Sequence, residues 1–161
     1  ATVQNKLHWA IHRHSAAELI SERADADKSH MGLMTWKNAT KGKIRKTDVA
    51  IAKNYLTGKE LRELNRIVTM YLDYAEMQAE RRLTMTMSDW VEKLDAFLKF
   101  NEKDVLNNAG KVSADVAEKL ALKEFTKFRK RERMIETQEP VSDFDKLVDK
   151  TRRLEQKEKN R

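Results

Sequence analysis

Thr57-Gly58-Lys59-Glu60-Leu61-Arg62-Glu63-Leu64-Asn65-Arg66-Ile67-Val68-Thr69-Met70-Tyr71-Leu72 opens the stretch that decides the fold. Thr57 and Glu60 have the spacing of a capping box, in which the threonine hydroxyl takes a free amide of the first helical turn and the glutamate reaches back to the amide of Thr57. Beyond it Leu61, Leu64, Val68, Tyr71, Leu72, Ala75 and Ala79 recur at helical spacing. This predicts the longest helix of the chain, over about 58–82, with that stripe turned inward.

The same grammar extends in both directions. Upstream, Val3, Leu7, Ala10, Ile11 and His14 share one helical face, and Ser15-Ala16-Ala17-Glu18 is another capping box, heading a helix over about 16–27. Residues 28–46 contain Gly32, Gly42 and the turn-forming Asn38-Ala39-Thr40 and read as an irregular loop. Such a long connection more often carries function than a short one. Thr47 is expected to cap a short helix through Leu56. Downstream, Leu83-Thr84-Met85-Thr86-Met87 reads as an extended linker. Ser88 is expected to cap a helix through Leu106, with Val91, Leu94, Phe97 and Leu98 inward, ended by Asn107-Asn108-Ala109-Gly110. Ser113 should cap a helix over about 114–137 that carries Val116, Leu120, Phe125 and Phe128. Pro140 breaks it, and Ser142 opens a terminal helix with Phe144, Leu147, Val148, Thr151 and Leu154 on one face. The expectation is an all-α, irregular antiparallel helical bundle of about six helices with a long basic loop. Residues 1–139 form the bundle domain, and 140–161 form a terminal amphipathic helix and charged tail, packed on the bundle or on a partner.

Composition agrees. Charged residues make up 37% and aromatics 7% of 161 residues, with four Gly and one Pro, a balance that favours long helices. Cysteine is absent, which excludes a disulfide framework and a thiolate zinc site. No run approaches a membrane span. Neither is a signal peptide visible, so the expected location is the cytoplasm. The absent initiator Met suggests a fragment or a processed product. The net charge of +7 divides into +3 over residues 1–80 and +4 over 81–161, which describes a generally solvated surface rather than one basic pole.

Three constellations can carry chemistry. His8 and His12 lie one helical turn apart, a spacing that lets two imidazoles share a metal, although Trp9 stands where a zinc-protease motif needs Glu. A half-buried structural pair fits the same spacing. Glu18, Glu22 and Asp25 share one helical face, and Asp73, Glu76 and Glu80 share another. If the two faces met they would suit Mg²⁺ or Mn²⁺, whereas apart they are ordinary solvated surface. Third, Lys37, Lys41, Lys43, Arg45 and Lys46 form an acid-free basic run beside Trp36, as a phosphate-contacting loop with a stacking side chain would. The alternative is a mobile loop whose Trp36 and Met34 tuck into the core. A second basic run spans Lys127 to Arg133. There is no phosphate-binding glycine loop and no nucleophile elbow.

Longer words carry a resemblance. Ala1-Thr2-Val3-Gln4-Asn5-Lys6-Leu7-His8-Trp9-Ala10-Ile11-His12, Glu22-Arg23-Ala24-Asp25-Ala26-Asp27-Lys28, Met31-Gly32-Leu33, Leu64-Asn65-Arg66-Ile67-Val68-Thr69-Met70-Tyr71-Leu72-Asp73-Tyr74-Ala75-Glu76 and Asp89-Trp90 resemble the RhuM family of bacterial virulence-associated proteins, over about residues 1–130. The resemblance implies a C-terminal helical domain whose missing N-terminal half is helix-turn-helix-like and binds DNA. It also implies an association with virulence islands, and supplies no biochemical activity. The leading expectation is a non-enzymatic partner-binding or assembly domain that self-associates through 142–154, contacts no membrane and holds no cofactor. The rival is a metal-dependent nuclease-like toxin domain using His8, Glu18, Arg23, Asp25, Asp73 and Glu76 with Mg²⁺ or Mn²⁺. Direct nucleic-acid binding by Trp36, Lys37, Lys41, Lys43, Arg45 and Lys46 is compatible with either.

Overall fold

In a computed structural model the described residues are 2–138, together with Val148 and Thr151. They form five α-helices: α1 (Thr2–His12), α2 (Ala16–Arg23), α3 (Gly58–Glu80), α4 (Met87–Phe100) and α5 (Ala114–Gln138). Two 3-10 turns, Ser29–Gly32 and Ala52–Tyr55, punctuate the connection from α2 to α3. No strand occurs among the described residues. The protein is an all-α, irregular bundle.

The chain divides into two units, Ala1–Phe125 and Thr126–Arg161. In the first, α1 packs against α2, α3 and α4, while α2 packs against the turn Ala52–Tyr55. Ala10, Ile67, Leu94 and Leu98 are the buried centre, wrapped by Leu7, Ile11, Met70, Tyr71 and Phe97 among others. On the α2 side Leu19, Met31, Val49, Tyr55 and Leu56 are almost wholly buried. In the second unit, the described end of α5 pairs Arg129 with Glu132 at 2.8 Å and lays the Arg131 guanidinium over Phe128 at 5.9 Å. The boundary expected at 139–140 and most of the helix expected over 142–154 lie outside the described residues. Within that helix only Val148 and Thr151 are described, both helical.

Capping sets the helix starts. Ser15 and Thr57 each form a complete box, with Glu18 and Glu60. The first helix stops at His12, because Arg13 turns into the left-handed region. The second stops at Arg23, short of residue 27, and the chain then turns at Gly32. There φ is +79°, and any Cβ would clash with the Arg23 carbonyl oxygen. The helix expected from Thr47 to Leu56 is instead a turn followed by the 3-10 turn. Asp48 spends its carboxylate on the amides of Lys37 and Arg45, and its carbonyl on the Asn54 side chain and, across a three-residue turn, on the Ile51 amide, so neither serves an α-helix. Ser88 does not cap α4, because Thr86 and Asp89 form the box two residues earlier. That helix ends at Phe100, not Leu106. On α3 the buried face runs through Leu64 and Ile67, and Leu72 points outward at 61% exposure. No helix among the described residues is long and apolar enough to cross a membrane.

Candidate functional site

A polar cluster lies where α1, α2 and the start of α3 meet. Arg23, the last residue of α2, donates from both guanidinium nitrogens to Glu60, at 2.6 and 2.7 Å, and also to the Tyr55 carbonyl at 2.8 Å. Glu60 sits there because it is the third residue of α3, fixed by its capping bonds to Thr57. The guanidinium beside it, helped by the Thr57 bonds, outweighs burial and holds the Glu60 carboxyl down at about 2.

His8 and His12 face one another beside this pair. His8 is buried, and its Nδ1 lies 3.1 Å from His12 Nε2. The other nitrogen of His12, Nδ1, is buried without a hydrogen-bond partner. A bare lone pair is cheaper to bury than an unpaired N–H. By that inference His12 carries its proton on Nε2 and donates it to His8. Protonating Nδ1 would bury a charged donor with nothing to accept from it. Burial, reinforced by His8, accordingly holds His12 near 4, and burial lowers His8 as well. The His14 ring stacks beside that of His12 with centroids 5.9 Å apart, its Nδ1 on the His12 carbonyl and its Nε2 2.9 Å from Glu22.

Of the residues expected to form a catalytic group, His8 and Arg23 are brought to this cluster. Glu18 is occupied elsewhere: its two oxygens accept the amides of Ser15 and Lys111, at 2.7 and 2.6 Å, tying α2 to the segment before α5. Burial pushes its carboxyl up, but these amides outweigh burial and hold it below the usual range. Gly110 permits the approach, since a Cβ there would meet Ser15 Oγ at 3.0 Å and its φ is +84°. Asp25 closes a local turn by accepting the Asp27 amide at 2.9 Å. Asp73 and Glu76 are exposed on α3. Among the described residues no three His, Asp or Glu side chains are grouped to hold a metal, so His8, Asp25 and Asp73 do not converge on one ion, and His8 and His12 have no third ligand.

In the basic loop Trp36 is buried at 7% exposure and its indole N–H donates to the Gly42 carbonyl at 2.6 Å. The ring packs against His30, with centroids 4.8 Å apart, so its face is not presented as a stacking platform, while Met34 is 60% exposed. Lys37, Lys41, Lys43, Arg45 and Lys46 are all exposed. The loop is pinned from within. Buried Asp48 accepts the amides of Lys37 at 3.2 Å and Arg45 at 2.8 Å, near its two ends.

Sequence reasoning missed Asp48 and the partnership of Glu60. Asp48 had no local signature beyond being the first acid after the basic run. The capping role of Glu60 was readable, but its ion-pair partner lies 37 residues away. It likewise missed Lys6, a buried lysine whose Nζ donates to Asp95 at 3.0 Å and to the Leu106 carbonyl at 2.9 Å.

No curated protein and no solved structure matches the chain. The model of the virulence protein RhuM family, by contrast, matches residues 1–136, and on that match the chain belongs to the RhuM family of virulence proteins.

Proposed function

We propose that this chain is a non-enzymatic partner-binding and assembly domain of a DNA-associated bacterial virulence protein. The observation that carries this reading is the outward apolar pair Val116 and Leu120, one turn apart on α5, with Val116 54% exposed. Such a pair on a helix otherwise rich in charge is what a self-association surface presents. The apolar spacing of Phe144, Leu147, Val148, Thr151 and Leu154 supports association of two copies through that terminal segment. The polar cluster supports a scaffold role, since Arg23, Glu60 and Glu18 are engaged in joining elements to one another. Sedimentation of the full chain, of Val116→Glu/Leu120→Glu and of a chain truncated after Glu139 tests this. The full chain should be dimeric and at least one variant monomeric. A monomeric full chain rejects assembly.

The pinned loop favours a second reading, direct contact with nucleic-acid phosphates through Lys37, Lys41, Lys43, Arg45 and Lys46. A backbone held by Asp48 presents these cations at little ordering cost. Replacing Lys41, Lys43, Arg45 and Lys46 by Gln should weaken binding to all sequences alike and flatten its salt dependence by close to one unit of slope per lost contact. An unchanged slope rejects it. The nuclease-like alternative with Mg²⁺ or Mn²⁺ gains no comparable support, for want of a metal-holding group among the described residues.

A further inference from the structure

A second constellation lies away from the histidines, where the first half of α3 faces the end of α4. A groove of about 450 Å³ there is walled by Lys59, Arg62, Glu63, Arg66, Asn101 and Lys103, with Ile67 and Met70 also lining it. Lys59, Arg62, Glu63, Arg66 and Met70 fall on one helical stripe, at i, i+3, i+4, i+7 and i+11. The far wall is set by how α4 ends. Glu102 takes the left-handed conformation at φ 56°, and the amides of Glu102 and Lys103 close back on Lys99 and Leu98 at 3.0 and 2.9 Å. That motif delivers Lys103 to the groove, where it pairs with Glu63.

The charge balance is one-sided. Four cations line the groove against one carboxylate, and that carboxylate is taken by Lys103. Among the described residues no ion pair engages Lys59, Arg62 or Arg66. Lys59 is also the second residue of α3, at the positive end of the helix dipole, where a cation is disfavoured. Glu60, the acid of that first turn, is committed to Arg23. Three like charges crowded without counter-charges gain from a bound anion, and guanidinium forks match the oxygens of a phosphate. The remaining wall is of another kind. Ile67 is almost wholly buried and Met70 half-buried, and a methionine sulfur makes favourable contact with a flat ring. Asn101 donates one of its two side-chain amide hydrogens to the Phe97 carbonyl at 2.8 Å, and its side-chain oxygen is left to accept from an amino group. The volume lies within the range of small-ligand sites.

We infer that this groove binds a nucleoside phosphate, free or as one residue of a single strand, with the phosphate on Lys59, Arg62 and Arg66 and the base over Met70. The full chain is titrated calorimetrically with AMP, with inorganic phosphate and with a short oligodeoxyadenylate. AMP should bind more tightly than phosphate. Arg62→Gln/Arg66→Gln should weaken AMP roughly tenfold or more, since each residue contributes a charge-assisted bond, with the melting temperature unchanged because both are exposed. Met70→Ala should weaken AMP but not phosphate. The Lys41→Gln/Lys43→Gln loop variant should bind AMP as the parent does, which separates this groove from the basic loop. In that loop variant, an oligonucleotide that binds much more tightly than AMP identifies the strand as the source, and equal affinities identify the free nucleotide. Absence of binding by both, an affinity unmoved in Arg62→Gln/Arg66→Gln, or phosphate binding as tightly as AMP would each overturn the inference.

Discussion

Arg23 contributes through where it ends up more than through what it is. As the last residue of α2 its side chain crosses to Glu60 and to the carbonyl of Tyr55, so one guanidinium ties α2, the 3-10 turn and α3 together. The pair is one-fifth to one-quarter exposed, so solvent screens it little and bidentate geometry keeps it ordered. Glu60→Gln should therefore lower stability by about 2 kcal/mol, mostly because Arg23 is left half-buried without its counter-charge. Adding Arg23→Gln should restore part of that loss, and Thr57→Ala should report the threonine hydroxyl's share, its cap on the Glu60 amide together with its bond to the Glu60 carboxylate. Urea denaturation of the four variants measures this, and strict additivity of Arg23→Gln and Glu60→Gln would show that the two do not act as a pair. The same residue shows what the sequence could reveal. Glu60 was legible as a cap because its partner Thr57 is three residues away, and illegible as an ion-pair partner because Arg23 is 37 away.

At the scale of elements, legibility follows the range of the interaction that decides each boundary. The boxes at Ser15 and Thr57 are local bonds, and both helix starts were readable from four residues. Thr86 and Ser88 are both good caps with an acid near the right offset; Thr86 prevails because Asp89 is placed to return its bond. The register of inward faces was harder to read. A stripe drawn through Leu61, Leu64, Val68 and Leu72 fits α3 as well as one through Leu64 and Ile67, until α1 and α4 arrive to choose between them. Of the four residues expected inward on α4, Leu94 and Leu98, one helical turn apart, are the two that are fully buried. The region 47–56 failed as a helix because Asp48 and Asn54 divert its polar groups into a loop clamp, which helix propensity cannot foresee. Trp36 was legible only as a choice between stacking platform and core, and the indole bond to Gly42 places it in the core.

At the scale of the whole molecule, the His8–His12 pair and Glu60 divide the acid stability of the fold into two legs. His12 is near 4 in the folded chain against about 6.5 unfolded, so the unfolded chain binds the proton first. The stability of the neutral pair is complete above about pH 6.5, falls as pH drops from there to about 4, and changes no further below, where both states are protonated. His8, lowered by the same burial, adds loss in the same direction. Glu60 acts later and with the usual carboxylate sign. Its contribution is complete above its unfolded value near 4.3 and is lost as pH falls through about 2. The upper leg from His12 is worth at most about 3 kcal/mol, from its fall from 6.5 to about 4 and the energy of one pKa unit, with partial solvent screening of the half-buried ring reducing it. His12→Phe removes the titrating ring and fills its space with an apolar one, and the lost Nδ1 had no partner. Denaturation midpoints followed from neutral pH to about 3 should then show a flattened upper leg in His12→Phe and a retained lower one. Glu60→Gln should do the reverse, keeping the upper leg and losing the lower. Exposed His30 and the surface carboxylates are common to every variant, so they cancel in the difference. An upper leg equally steep in His12→Phe and in the parent would mean that His12 does not govern this loss, because it would then come from His8 and the other groups the substitution leaves in place.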